Sequence, residues 1–307
     1  MKNTYRANAT GRASWCAAIA IGAALCGSAA ATESGGSIYP NGVENFLVGA
    51  MPPPGFYPLV YATSYHATEL RDNRGNDIAA AIGGFRADVT GIIPRFIWVT
   101  GQKLFGGQLA VHAIVPLLNV DVQVGPNHQR NTGIGDLNLA AALGYHVSPN
   151  LHYVVALETN APTGRYDRNN VANLGRNYWN IEPLVAVSYI QASGLNADIK
   201  LMYDYNFRNN DTDYKSGQEL HADYALGWGL GNGFVAGVSG YVYRQITDDN
   251  VAGQTVTGNR GRAVAIGPSV RYQNTQGWMF TAKYEREYDV RNRPSGGAFW
   301  IKTLIPL

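Results

Sequence analysis

The chain has 307 residues, a net charge of +2 and 15% charged residues, so it lacks the basic excess of a nucleic-acid binder. Its two cysteines, Cys16 and Cys26, both lie near the start, which leaves the rest of the chain without a disulfide or a thiolate metal site. Thirty-six glycines and 19 tyrosines point to sheet, turns and interfacial aromatics.

Lys2, Arg6 and Arg12 precede an apolar run at residues 13–25 and then the small-residue stretch GSAAATES. This pattern predicts a secretory signal peptide over residues 1–31, because the run is shorter than the roughly 20 residues of a spanning helix. Further on, the longest apolar run covers residues 109–118 and is interrupted by His112, so no transmembrane helix is expected.

The next segment, residues 32–55, has no period and ends on Pro52, Pro53 and Pro54, which cannot donate to a ladder. It is expected to act as a plug or a periplasmic tether. The lumen is favoured, because Phe46, Leu47, Val48, Met51 and Phe56 would otherwise expose an apolar cluster to water. Phe46, Met51, Pro52, Pro53, Pro54 and Phe56 are the plug candidates.

From residue 56 to residue 307 the period is two. Strands are predicted at residues 56–67, 82–99, 108–123 with a slip near Pro116, 136–147, 151–161 and 178–190. They continue at 195–208, 219–230, 234–247, 263–273, 278–289 and 298–307. The pattern is clearest at 195–208, where Leu195, Ala197, Ile199, Leu201, Tyr203, Tyr205 and Phe207 alternate with charged and amide residues. At helical spacing the same apolar residues would scatter around the axis. In the 234–247 strand, glycines leave the register open.

Connections after the second, fourth, sixth, eighth and tenth strands are short or moderate. The others are expected to be longer or richer in charge, and the longest is NAPTGRYDRNNVANLGRN. Alternation of this kind suits periplasmic turns and outer loops, so the fold class expected is an all-β, transmembrane antiparallel barrel of about 12 strands. Closure is required because an unpaired edge in lipid costs several kcal/mol per backbone group, so the first and last strands should pair.

The stretch Met51-Pro-Pro-Pro-Gly-Phe-Tyr57, with Tyr61, Tyr65 and LRDNRGN beyond it, resembles the meta-pathway phenol-degradation family of outer-membrane proteins. GIGDLNLAAALGYH and APTGRYD carry further likeness. The resemblance implies a transporter-like barrel, associated with aromatic catabolism, that passes hydrophobic or aromatic compounds through the bacterial outer membrane. It carries no catalytic residues across. Outer-membrane barrels usually end on an aromatic residue, and this chain departs from that by ending on Pro306-Leu307.

The function expected is therefore passive uptake of small hydrophobic or aromatic compounds, with no enzyme activity, cofactor, metal or nucleic acid. The expected partners are outer-membrane lipid, such solutes and the barrel-assembly machinery. Residues expected to line the lumen are Arg86, Asp88, Glu158, Glu182, Asp198, Lys200, Asp204, Glu219, His221, Asp223, Lys283 and Glu285. His66, His112 and His152 are placed on the same polar parities. A lipid-cleaving barrel is the rival, because His146-Val-Ser148 puts a histidine and a serine on one strand face. Against it, Ser148 precedes a periplasmic turn and no third residue is placed to orient the histidine. A structural or adhesion barrel is the second rival.

Overall fold

The computed structural model describes residues 32–306; the predicted signal peptide and Leu307 lie outside them. After one 3-10 turn at Glu33–Gly35, every element is a strand. In chain order they are β1 (Gly55–Arg71), β2 (Phe85–Leu104), β3 (Gly107–Ile114), β4 (Leu117–Val124), β5 (Asn127–Ile134) and β6 (Leu137–His146). Next come β7 (Leu151–Ala161), β8 (Asn180–Tyr189), β9 (Ser193–Asn206), β10 (Arg208–Asn209), β11 (Tyr214–Lys215) and β12 (Glu219–Leu230). The last are β13 (Phe234–Gln245), β14 (Asp249–Val251), β15 (Gln254–Val256), β16 (Arg262–Gln273), β17 (Met279–Arg291) and β18 (Arg293–Leu304).

The long β2 pairs with β3 on one half and with β4 on the other, so β3 and β4 form one strand broken at Val115-Pro116. In the same way β5 and β6 form one strand broken at Gly135-Asp136. Counting each pair once, the barrel has twelve antiparallel strands. It closes where β1 meets β18, with Tyr61 opposite Lys302, so the expected pairing of first and last strands is present.

Short turns such as Phe105-Gly106 mark one end, and the long connections mark the other, where β10, β11, β14 and β15 form a small sheet. Two outer connections differ from expectation. The β4–β5 turn is tight, and β17 passes to β18 through Asn292 alone, at φ 52°. At those places the strands themselves extend outward, and loop length does not mark the side. The free edge of β5 is covered by the β7–β8 loop, where Gln129 Oε1 accepts from the Val171 and Ala172 amides at 2.7 and 3.3 Å.

The outer wall is apolar, with Trp98, Leu201, Trp228 and Phe299 exposed. In β9 the partition follows the sequence pattern: Leu195, Ile199 and Leu201 face out, while Asn196, Asp198, Lys200, Met202 and Asp204 are buried. In β13 the open register resolves with Val235, Ser239, Tyr241, Tyr243 and Gln245 inward.

On β1 and β2 the expected parity is inverted. Leu59, Tyr61 and Ile93 point inward and pack with Trp300 and Val43, while Ile92, Phe96 and Trp98 point outward. Arg86 and Asp88 share that outward face and do not line the lumen. They stand beyond the apolar belt in a cluster in which Asp88 meets His66 at 2.5 Å and Arg86 meets Asp121 at 3.1 Å. His66 is likewise exposed. The inward parity of this wall packs on Val43 of the N-terminal segment and also presents Tyr61 and Arg95 to Glu44.

Candidate functional site

The N-terminal segment threads the lumen from the outer loops to the opposite rim. At the outer end, Glu33 accepts hydrogen bonds from Tyr166 (3.0 Å), Thr212 (2.6 Å) and Asn209 (2.8 Å), all on outer connections. Further in, Asp223 of β12 accepts from the Tyr39 hydroxyl at 2.7 Å and from the Gly42 and Glu44 amides at 3.0 Å each. Lys283 of β17 donates to the carbonyls of Gly42 and Glu44. A strand carboxylate and a strand ammonium thus replace the ladder partners that an irregular backbone lacks.

Glu44 is the central anchor. Its carboxylate accepts from Tyr61 at 2.9 Å, Arg95 at 2.8 Å and Lys302 at 3.1 Å. Burial of a carboxylate is tolerated here because two cations and a hydroxyl surround it. Two residues on, Phe46 is fully buried against Ala225 and Val235. Leu47 and Val48 then turn both amides onto Asp198 Oδ1 at 2.8 and 3.2 Å, and the Gly49 amide donates to Ser188 at 2.8 Å. Met51 ends the passage against Val99 and Ala110.

Glu158, Glu182, Asp198, Lys200, Asp204, Glu219, His221, Asp223, Lys283 and Glu285 are all buried inside. Asp198, Asp223, Lys283 and His221 bond the segment directly, the last through Asn41 at 2.6 Å. Lys200 lies over the Tyr39 ring, 4.7 Å from its centroid, and is shared by Glu158 and Glu182 at 3.7 and 3.6 Å. Glu285 meets Lys283 at 2.9 Å. Glu219 and Asp204 flank the His221 Nε2 at 3.2 Å each.

Among the plug candidates, Phe46 and Met51 are in the lumen, but Phe56 is not. It opens β1 on the outward face, stacked on Phe96 with centroids 6.2 Å apart. Pro53 and Pro54 are exposed at the rim, where the Pro53 carbonyl accepts from Tyr57. Sequence reasoning missed Glu44, Arg95 and Lys302. Glu44 and Glu33 are the only carboxylates in an otherwise neutral segment, a signal that was available. The Ser148 hydroxyl accepts from the Asn150 and Leu151 amides in its turn, and His146 contacts His152 at 2.7 Å.

Fold and site together define a bacterial outer-membrane β-barrel whose lumen is occupied by its own N-terminal segment. Residues 67–303 match the family described as "Putative MetA-pathway of phenol degradation", and the chain belongs to that family. No curated protein matches it. Among solved structures it is similar to the COG4313 outer membrane channel from Pseudomonas putida F1, with TM-score 0.70, 17% identity and coverage of 87% of this chain and 99% of the other. The translocator domain of autotransporter NalP from Neisseria meningitidis gives TM-score 0.46 and 11% identity, over 84% of this chain and 91% of that one. The CymD monoaromatic hydrocarbon channel gives 0.42 and 8%, over 83% and 89%.

Proposed function

We propose that the protein is a passive outer-membrane channel for small hydrophobic or aromatic compounds, with residues 32–54 as its plug. The observation that carries the reading is a mixed lumen. An apolar strip built by Leu59, Tyr61, Ile93 and Trp300 packs on Val43 of the segment, while Asp223, Lys283 and Asp198 on strands β12, β17 and β9 hold the segment by its backbone. An apolar solute passes along this greasy strip once the segment shifts. Membership in a phenol-degradation family supports aromatic solutes. Its partners on this reading are those solutes, outer-membrane lipid and the barrel-assembly machinery.

The test is deletion of residues 38–54 from the mature chain. A folded, heat-modifiable barrel with larger single-channel conductance in planar bilayers, and less discrimination between aromatic and hydrophilic solutes, supports the plug. Unchanged conductance and selectivity in a folded deletion variant overturns it.

A further inference from the structure

At the outer end of the barrel three arginines stand side by side on the outward face. Arg244 of β13 is directly opposite Arg262 of β16, and Arg262 is directly opposite Arg291 of β17. The next outward-facing row toward the membrane centre is apolar: Ala222, Val242, Val264 and Tyr288, again in register. Val242 and Tyr288 are 43% and 55% exposed, as lipid-facing side chains are. One pleat further in, Arg286 of β17 is also outward, opposite Ile266. The apolar strip below the arginine row is therefore continued by β12, β13 and β16, and the row itself stands at headgroup level on the side of the outer loops.

A bulge places the third arginine there. Between the paired rows β17 has two residues, Asp289 and Val290, where β16 has only Ala263, and Asp289 takes φ 49°. Val290 is turned inward and buried. Simple alternation from Tyr288 would aim residue 291 into the lumen, and the extra residue re-aims it outward.

Like charges directly opposite one another repel, and nearby acids neutralise only part of the row. Arg262 meets Asp289 at 2.5 Å, and the neighbouring Arg260 meets Asp248 at 2.8 Å. Arg244 makes no ion pair among the described residues, and Arg291 donates only to the Asn73 carbonyl at 3.3 Å. All four arginines open onto one cavity of about 640 Å³, also lined by Leu220 and Ile246. Two unneutralised guanidiniums flanking a third, above an apolar strip, are complementary to a phosphate group carried on acyl chains.

We propose that this cavity binds a phosphate of lipid A in the outer leaflet, with the acyl chains along Leu220, Val242, Ile266 and Tyr288. The site is on the outside of the wall and does not depend on the lumen reading. The test uses the mature protein folded in detergent and loaded with diphosphoryl lipid A, monophosphoryl lipid A or phosphatidylethanolamine, with retained lipid counted by native mass spectrometry. Diphosphoryl lipid A should be retained best. The double variant Arg244→Gln/Arg291→Gln should lose retention by about tenfold or more, as removal of charge-assisted contacts implies. Arg168→Gln, in an outer loop away from the row, should retain as the wild type does. Equal retention by the double variant, with its heat-modifiability intact, overturns the site. So does equal retention of phosphatidylethanolamine, or displacement by inorganic phosphate without any preference for lipid A.

Discussion

Lys302, near the end of β18, donates to the Glu44 carboxylate at 3.1 Å and to the Phe46 carbonyl at 3.2 Å. The last strand of the barrel therefore holds the N-terminal segment on both sides of Asn45, where Phe46 enters its apolar pocket. Arg95 on β2, one strand further round the same wall beyond β1, holds the same carboxylate. Closure of the barrel between β1 and β18 brings these groups together, so the anchor exists only in the closed barrel.

Glu44→Gln removes the charge that both cations share. Breaking one side of a buried pair costs about 3–5 kcal/mol, because the partner is left buried and uncompensated. The loss falls on docking of the segment, since Lys302 and Arg95 can be solvated by water entering a lumen that has opened. The variant should form a heat-modifiable barrel with raised conductance and faster protease cleavage within residues 38–54. Wild-type conductance in that variant would remove Glu44 from the role of anchor.

Orientation is tested by labelling. Arg168 lies in the long β7–β8 connection and bonds the Asp211 carbonyl on the next outer loop at 2.7 Å, while Asn232 sits in the short β12–β13 turn. Short turns face the periplasm in barrels of this kind. A single cysteine at Arg168 should react with an impermeant reagent in whole cells, and one at Asn232 should not. The reverse pattern would invert the topology.

The faces are tested on two walls at once. Leu201 and Ile92 are 44% and 49% exposed on the lipid side, so an arginine at either should cost about 2–4 kcal/mol near the midplane. Lys200→Leu should also weaken the fold, for another reason: it strips Glu158 and Glu182 of their shared cation. Adding Glu182→Gln should restore part of the heat-modifiability midpoint in the Lys200→Leu background and none in the Leu201→Arg background. Rescue of both would mean that residues 200 and 201 do not face opposite sides.

The wall from β9 to β17 was legible from sequence because its two faces differ in the plainest way, charge inside and hydrocarbon outside. There parity alone places Lys200, Asp204 and Asp223. On β1 and β2 the same rule misplaces Arg86 and Asp88. Period two says which residues share a face, and which face is inside depends on what fills the lumen. The filler was legible as a segment barred from pairing by three prolines, but its anchors were not. Lys302 and Glu44 are 258 residues apart in sequence, and only barrel closure makes them neighbours. The bulge at Asp289 was equally hidden, because one inserted residue leaves no compositional mark.

The last prediction separates shape from charge. A side chain added at Gly49 would meet the backbone of β8, with its Cβ 2.7 Å from the Ser188 nitrogen and 2.8 Å from the Ala186 oxygen. Backbone in a paired strand cannot yield as a flexible side chain can, so the segment must move. Gly49→Ala should therefore cost about 1–3 kcal/mol of docking, weakening the Gly49–Ser188 bond and the neighbouring amide contacts to Asp198, with no change in any charge. Conductance should rise while the heat-modifiability midpoint of the barrel stays near that of the wild type, since no strand is altered. Gly101→Ala is the control: nothing lies within 4 Å of a Cβ added there, near the opposite end of β2 from the outer loops. If the two variants conduct alike, close approach of the segment to β8 does not hold it in place, and the polar anchors alone must carry the closure.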